Sequence, residues 1–382
     1  MNKKTPLLLS VILANAAYAA DDQVSVEQLQ QQIQELNSRL EILADAVEEK
    51  GQSEATSKVH FGGYGELNYN HLDVDGEDQR NLDFRRWVLF VGYEFSDRIR
   101  LHSEFEVEHT VVPGSDGDGA VELEQAYIEM DLNDNSQLKT GIVLTPVGLI
   151  NETHEPVYYY GTERPVIETT VIPTTWYVGG VMFSQNFASG ISYDLLLSEG
   201  LKTEDPTTSA DAEPFNIKAG KQKTSNADVF DLATTARIKY TGVPGLELAA
   251  YAQYQPDLDQ SAETSYAESA TLLGGHFVYA VADVTVKGLY ARWDLEGDDA
   301  KDAGKDVQDG GYLEVSWKAM DQLGVFVRQS NWSLEKDVDA AQTDFGLSYF
   351  VHPDVVFKAD YQLQNDDAGN ADGFNLGMGY QF

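Results

Sequence analysis

DGFNLGMGYQF, residues 372–382, alternates without a break to the end of the sequence. Phe374, Leu376, Met378, Tyr380 and Phe382 share one face; Gly373, Asn375, Gly377, Gly379 and Gln381 share the other. A period of two, with one apolar and one small or polar face, describes a strand between lipid and water. A soluble sandwich can end on the same pattern, so the opposite end of the chain has to be read with it.

That end reads as an export leader. Lys3 and Lys4 precede an apolar run, Leu7 to Leu13, and Ala17-Tyr18-Ala19 forms a small-x-small cleavage site. Residues 1–20 are therefore expected to be a signal peptide, with the mature chain starting near Asp21. The run is too short to span a bilayer as a helix, and no later segment approaches the ~20 apolar residues that would be needed. The sequence holds no cysteine, which excludes disulfides and thiolate metal sites. Its formal charge of −37 disfavours nucleic acid as a partner. Twenty Tyr, 16 Phe and 5 Trp argue for an ordered structure despite that acidity.

Residues 21–57 are expected to form a periplasmic coiled-coil segment and linker. Val26, Ile33, Leu40 and Val47 fall at a positions and Leu29, Leu36 and Leu43 at d positions of a heptad repeat. The helix has one face to bury, which favours self-association; the mixed core is compatible with two or three chains. An amphipathic helix lying on its own domain is the other reading. Gly51 to Ser57 is a polar linker.

From Lys58 onward, sixteen strands are expected, at 58–71, 82–95, 98–111, 121–132, 136–145, 176–187, 190–199, 228–240, 245–256, 267–281, 283–295, 310–319, 322–334, 341–351, 354–366 and 372–382. Connections after even-numbered strands are tight, such as Ser96-Asp97 and His352-Pro353. Those after odd-numbered strands are longer and acidic, including 72–81, 112–120, 200–227, 296–309 and 335–340. Short turns at one end and long loops at the other mark an outer-membrane barrel with periplasmic termini. The fold class that follows is all-β, a 16-stranded antiparallel transmembrane β-barrel over 58–382, preceded by the short α-helical coiled coil.

Alternation assigns the faces. In the third strand Ile99, Leu101, Phe105 and Val107 oppose Arg100, His102, Glu104, Glu106 and Glu108. In the fifteenth Val355, Phe357, Ala359, Tyr361 and Leu363 oppose Lys358, Asp360, Gln362 and Gln364. A charged inner face implies a wet lumen, and sixteen strands are wide enough for an aqueous channel. Tyr93, Trp176, Tyr177, Tyr240 and Tyr349, near strand ends, are expected to serve interfacial girdles.

One connection differs from the others. TPVGLINETHEPVYYYGTERPVIETTVIPTT, residues 145–175, holds Tyr158 to Tyr160, four prolines and apolar residues throughout. A solvated loop has no need of Val147, Leu149, Ile150, Val166, Ile167 and Ile172, so residues 146–175 are expected to fold inward as a constriction loop. An external cap or subunit contact is the alternative.

FGGYGELNYN at 61–70, NLDFRRWVLFVGYEFSDRIRLHSEFEVEH at 81–109, NETHEPVYYYGTERPVIETTVIPTTW at 151–176 and the terminal Phe382 together resemble the phosphate-selective porin O/P family of outer-membrane channels. The resemblance covers nearly the whole mature chain. It implies a trimeric sixteen-stranded porin, with an inward loop and basic side chains guiding anions by replacing their hydration. Alternation nominates Arg86, Arg100, Lys139, Arg237, Lys239, Lys287, Lys318, Arg328 and Lys358 as lumen-facing cations, with Arg164 and Tyr158 in the loop. Glu66, Glu104, Glu106, Glu108, Glu129 and Asp131 face them, and Glu152, Glu155, Glu163 and Glu168 lie in the loop. Cross-strand pairing with these carboxylates is the competing account of the basic residues, and ion selectivity stays open.

No GxSxG or HExxH pattern is present, and His102, His109 and His154 stand isolated in sequence, so no enzyme, cofactor or metal site is expected. The expected function is a passive channel for small hydrophilic solutes and ions, with phosphate or other anions as candidates. A general cation-preferring or non-selective porin tethered by its coiled coil is the alternative. The expected partners are outer-membrane lipid and lipopolysaccharide, two further copies of the chain, and the barrel assembly machinery through Phe382.

Overall fold

A computed structural model describes residues 58–111, 119–203, 214–261, 266–366 and 369–382. The leader and heptad segment expected over 1–57 lie outside the described residues. Sixteen strands run in order: β1 (Val59–Val74), β2 (Glu77–Ser96), β3 (Ile99–Glu108), β4 (Val121–Asn133), β5 (Ser136–Leu144), β6 (Tyr177–Asn186), β7 (Ile191–Glu199), β8 (Leu232–Val243), β9 (Leu246–Gln255), β10 (Ala270–Val281), β11 (Val284–Leu295), β12 (Val307–Met320), β13 (Leu323–Glu335), β14 (Val338–His352), β15 (Val355–Asp366) and β16 (Gly369–Gln381). Each pairs antiparallel with its sequence neighbours, and β1 pairs with β16 to close the barrel. Closure leaves no strand edge unpaired, the condition for a sheet to stand in lipid. At the seam the Gly63 and Phe382 backbones exchange hydrogen bonds of 3.0 and 2.9 Å. A Cβ on Gly63 would overlap the Val88 carbonyl and press on the Phe382 ring at 2.9 Å, so only glycine lets the last residue seat there.

The expected alternation is present. Phe357, Tyr361 and Leu363 point outward between buried Val356, Lys358, Asp360 and Gln362, and Phe374 and Leu376 flank buried Asn375. Outward Leu195, Leu197, Leu248, Leu273, Leu313, Val327 and Leu347 continue the apolar belt round the wall.

Several expectations are corrected. Residues 72–81 and 335–340 are not loops: β1–β2 and β13–β14 extend as tall hairpins paired to Val74–Glu77 and Glu335–Val338. Asp75 and Gly76, at φ 53° and 87°, supply the two left-handed residues of a two-residue turn whose twist matches the strands. The described part of the 200–227 loop turns inward, burying Leu201, Phe215 and Ile217. Trp176 and Tyr177 belong to no girdle: both are buried inside, Trp176 against Trp293 at 6.0 Å between centroids.

The inner wall is also not charged all round. Leu196 on β7, Leu272 on β10, and Leu289, Ala291, Trp293 and Leu295 on β11 form one dry cluster with Val147, Ile167, Val171 and Ile172 of the long β5–β6 loop. The loop's apolar residues need a partner surface, and this side of the wall provides it.

Candidate functional site: the inner loop and its polar cavity

The β5–β6 loop lies inside the barrel. Its two ends are stitched by Asn151, whose side-chain amide donates to Thr145 O (2.8 Å) and Trp176 O (3.0 Å) and whose Oδ1 accepts the Trp176 N–H at 2.6 Å. A single helical turn, Ile167–Thr170, carries Glu168 inward. Its carboxylate accepts the N–H groups of Leu149 (2.7 Å) and Ile150 (2.8 Å) and the Tyr312 hydroxyl of β12 (2.7 Å). One buried carboxylate thus joins both arms of the loop to the wall, as capping carboxylates do for orphan N–H groups.

The remaining anchors reach round the barrel. The Tyr159 hydroxyl donates to Glu66 of β1 at 3.1 Å, and burial pushes that phenol above its usual range, so it remains a donor. Lys358 of β15 donates to the carbonyls of Tyr159 (3.0 Å) and Gly161 (2.9 Å), its ammonium 3.7 Å from the Tyr159 ring centroid. Arg328 of β13 donates to Tyr160 O at 2.6 Å, the Thr162 N–H to Asp360 at 2.6 Å, and Trp293 Nε1 to Val171 O at 3.1 Å. Arg237 of β8 pairs with Glu152, and Arg85 with Glu163 at 2.5 Å.

Most of the nominated basic residues are held by carboxylates or carbonyls. Arg86 contacts Glu66 at 3.0 Å and Glu106 at 3.4 Å. Arg100 makes a fork with Glu129 and Asp131 at 2.7 Å each, and Lys139 lies 3.7 Å from Glu129. Arg237 contacts Asp194 at 2.8 Å; Arg328 and Lys287 meet at Glu314, at 2.7 and 3.8 Å. Lys239 is half-buried, opposite Ala249 and Ser192 in register. Lys318 sits 3.4 Å from Asp321 at an exposed turn, and Tyr158 is exposed on the loop. Glu104 and Glu106 are fully buried, while Glu108 is partly open.

Between the loop and the β1–β3 wall lies a polar cavity of about 500 Å³. Arg85, Arg86, Arg164, Lys218 and His109 line it together with Glu66, Glu108 and Glu163. Arg164, only 7% exposed, donates to Thr175 Oγ1 at 2.7 Å, has no carboxylate within ion-pair distance among the described residues, and leaves its Nε unbonded. Alternation missed Arg85, because β2 carries one extra residue between the pairs Glu66–Arg86 and Asn68–Asp83. It missed Lys218 because the second loop folds in. Beside the cavity, Lys221 donates to the Thr174 and Thr175 carbonyls, and burial with Lys223 nearby draws its pKa down to about 8.

No family model matches the chain. An uncharacterized protein of Aquifex aeolicus (strain VF5) is 29% identical over 349 residues, spanning 81% of this chain and 78% of the relative. The anion-selective porin of Comamonas acidovorans superposes with a TM-score of 0.58 at 12% identity, covering 85% of this chain and 99% of that one. The outer membrane channel DcaP of Acinetobacter baumannii gives 0.57 at 12% (86% and 99% covered), and Salmonella typhi OmpF in complex with daunomycin 0.60 at 11% (85% and 97%). The fold is that of the outer-membrane porins. At such identities the likeness speaks for architecture, not for what passes through the barrel.

Proposed function

We propose that the chain is an outer-membrane porin, a water-filled channel through which small hydrophilic solutes and inorganic ions diffuse passively past the inner loop. The observation that supports this best is a loop bonded to the inner wall of a closed barrel, beside a cavity lined by both signs of charge. Arg164, whose Nε is unbonded, and Lys218 both turn positive charge to that cavity. Phosphate and similar anions are the solutes this corner suits, since Arg85, Arg86, Arg164 and Lys218 outnumber Glu66, Glu108 and Glu163 there. A cation-preferring channel is the second reading, favoured by the chain's net charge of −37 and by the pairing of most inner arginines.

In this reading the short-turn end, with both ends of the barrel, faces the periplasm, and the coiled coil of 21–57 sits there and helps hold a homotrimer. Phe382 presents the closing strand to the barrel assembly machinery, and acidic outer loops meet lipopolysaccharide through divalent cations. The deciding experiment is the reversal potential of the purified protein in a planar bilayer under a KCl gradient, followed by phosphate titration. A chloride-side potential blocked by phosphate, and lost in Arg164→Gln, supports the anion path. A potassium-side potential without block selects the second reading, and absence of conductance overturns both.

A further inference from the structure

We infer that Glu104, Glu124 and His154 form a site for a divalent transition-metal ion that fastens the inner loop to the barrel wall. Glu104 comes from β3, Glu124 from β4 and His154 from the loop, and they are 0%, 2% and 4% exposed. Their donor atoms all lie within 4.8 Å of one another. His154 Nε2 is 3.2 Å from Glu104 Oε1 and 3.8 Å from Glu124 Oε2. Ligands ~2 Å from a tetrahedral ion stand ~3.3 Å apart, so small side-chain shifts complete the geometry.

The hydrogen bonds round the site call for a cation. His154 Nδ1 lies 3.0 Å from the Asn151 carbonyl, which can only accept, so Nδ1 carries a proton. In the neutral ring Nε2 then directs its lone pair at two carboxylates. This is the tautomer a metal-binding imidazole takes when its other nitrogen is fixed by a backbone carbonyl. Glu104 Oε2 is oriented by Gln125 Nε2 at 2.6 Å, leaving Oε1 for the ion. Glu124 Oε2 is buried with no hydrogen-bond partner, and so is the Tyr64 hydroxyl, whose ring packs edge-on against His154 at 5.9 Å between centroids.

Charge points the same way. The field of Arg164 reaches five carboxylates, Glu66, Glu104, Glu106, Glu124 and Glu155, and Arg86 and Lys358 are the other cations among them. Five carboxylates against three cations leave two negative charges, which one divalent ion cancels. Two extra protons, one making an imidazolium and one on a carboxyl, are the rival state. Glu122 is not part of the site, because the Tyr177 hydroxyl (2.6 Å) and Lys223 already occupy its oxygens. One imidazole with two carboxylates suits zinc and its neighbours better than calcium or magnesium, which take oxygen sets.

The test uses the full chain in detergent, stripped by chelator and titrated with Zn²⁺ alone, with X-ray absorption at the zinc edge. One ion per chain is expected, with one imidazole in its shell, and an affinity at least tenfold weaker in both Glu124→Gln and His154→Gln. His276→Gln, on the far wall, should leave it unchanged. A shell without imidazole, or binding insensitive to both substitutions, reduces the site to the protonated ion pair and overturns the inference, as does failure to bind. Should either variant fail to fold by circular dichroism, the wild-type absorption spectrum decides by itself.

Discussion

Replacing Glu168 with Ala removes the carboxylate that joins both arms of the inner loop to β12. Three hydrogen bonds go at once: from the Leu149 and Ile150 N–H groups and from the Tyr312 hydroxyl, all at 2.7–2.8 Å. A hydrogen bond to a charged group contributes about 1.5–3 kcal/mol, so the gross loss is roughly 5–9 kcal/mol. Part returns because a buried carboxylate no longer has to be desolvated, a term of several kcal/mol before pairing. The net destabilisation of the docked loop should be about 3–5 kcal/mol, or roughly a hundred- to a few-thousand-fold in its opening equilibrium. Hydrogen exchange read by mass spectrometry on peptides from 146–175 reports that ratio directly, provided opening is at equilibrium. Peptides from β14 and β15 should keep their protection, since the ladder there is untouched. Glu168→Gln should fall between, keeping one acceptor oxygen. Unchanged protection of the Leu149 and Ile150 amides in Glu168→Ala would refute the assignment of the loop's stability to this carboxylate.

Arg328→Ala leaves buried Asp344 without its cation and buried Glu314 with Lys287 alone at 3.8 Å, and should lower barrel stability by about 3–5 kcal/mol in a denaturant series; Arg328→Lys should recover only part, having no fork. Gly63→Ala drives a methyl into the Val88 carbonyl and the Phe382 ring, so refolding yield into detergent should drop by more than half while far-ultraviolet dichroism of the folded fraction stays unchanged. Lys221 predicts a pH effect. Its pKa is about 8 when docked and near 10.4 in the unfolded chain, so between those values only the unfolded state holds the proton and stability rises with pH. The penalty is complete below pH 8, and the melting advantage of Lys221→Met over wild type should therefore shrink from pH 8 to pH 10.5.

The wall was legible in the sequence because its period of two is enforced by lipid outside. Phe374 and Leu376, or Phe357 and Tyr361, have one possible face each. The Asp75-Gly76 turn was missed although Asp-Gly between alternating runs is a hairpin signal, because the acidic residues around it read as a loop. Alternation lost its force where both faces are apolar: on β11, Tyr290 points out while Leu289, Ala291 and Trp293 point in, and nothing local tells the faces apart. Trp176 and Tyr177 sit where the inner loop enters β6, and the loop packed inside the barrel, not alternation, decides their burial. His154, Glu104 and Glu124 come from three segments, and only the folding of the loop brings them together. That is why an isolated histidine in the sequence stands among carboxylates in the structure.

The stitch made by Asn151 bears on the order of assembly. Once its three bonds tie residue 145 to residue 176, the intervening chain is a closed local unit rooted on the β5–β6 hairpin, and closing a loop already tied at its base takes little further entropy. Its contacts at Arg237, Trp293, Tyr312, Arg328 and Lys358 lie later in the chain, and those at Glu66, Arg85 and Glu104 lie earlier. The loop thus works as a hub between the two halves of the wall: strands on either side of it in the chain rest on one shared surface, and the β1–β16 seam joins two arcs that this surface already spans.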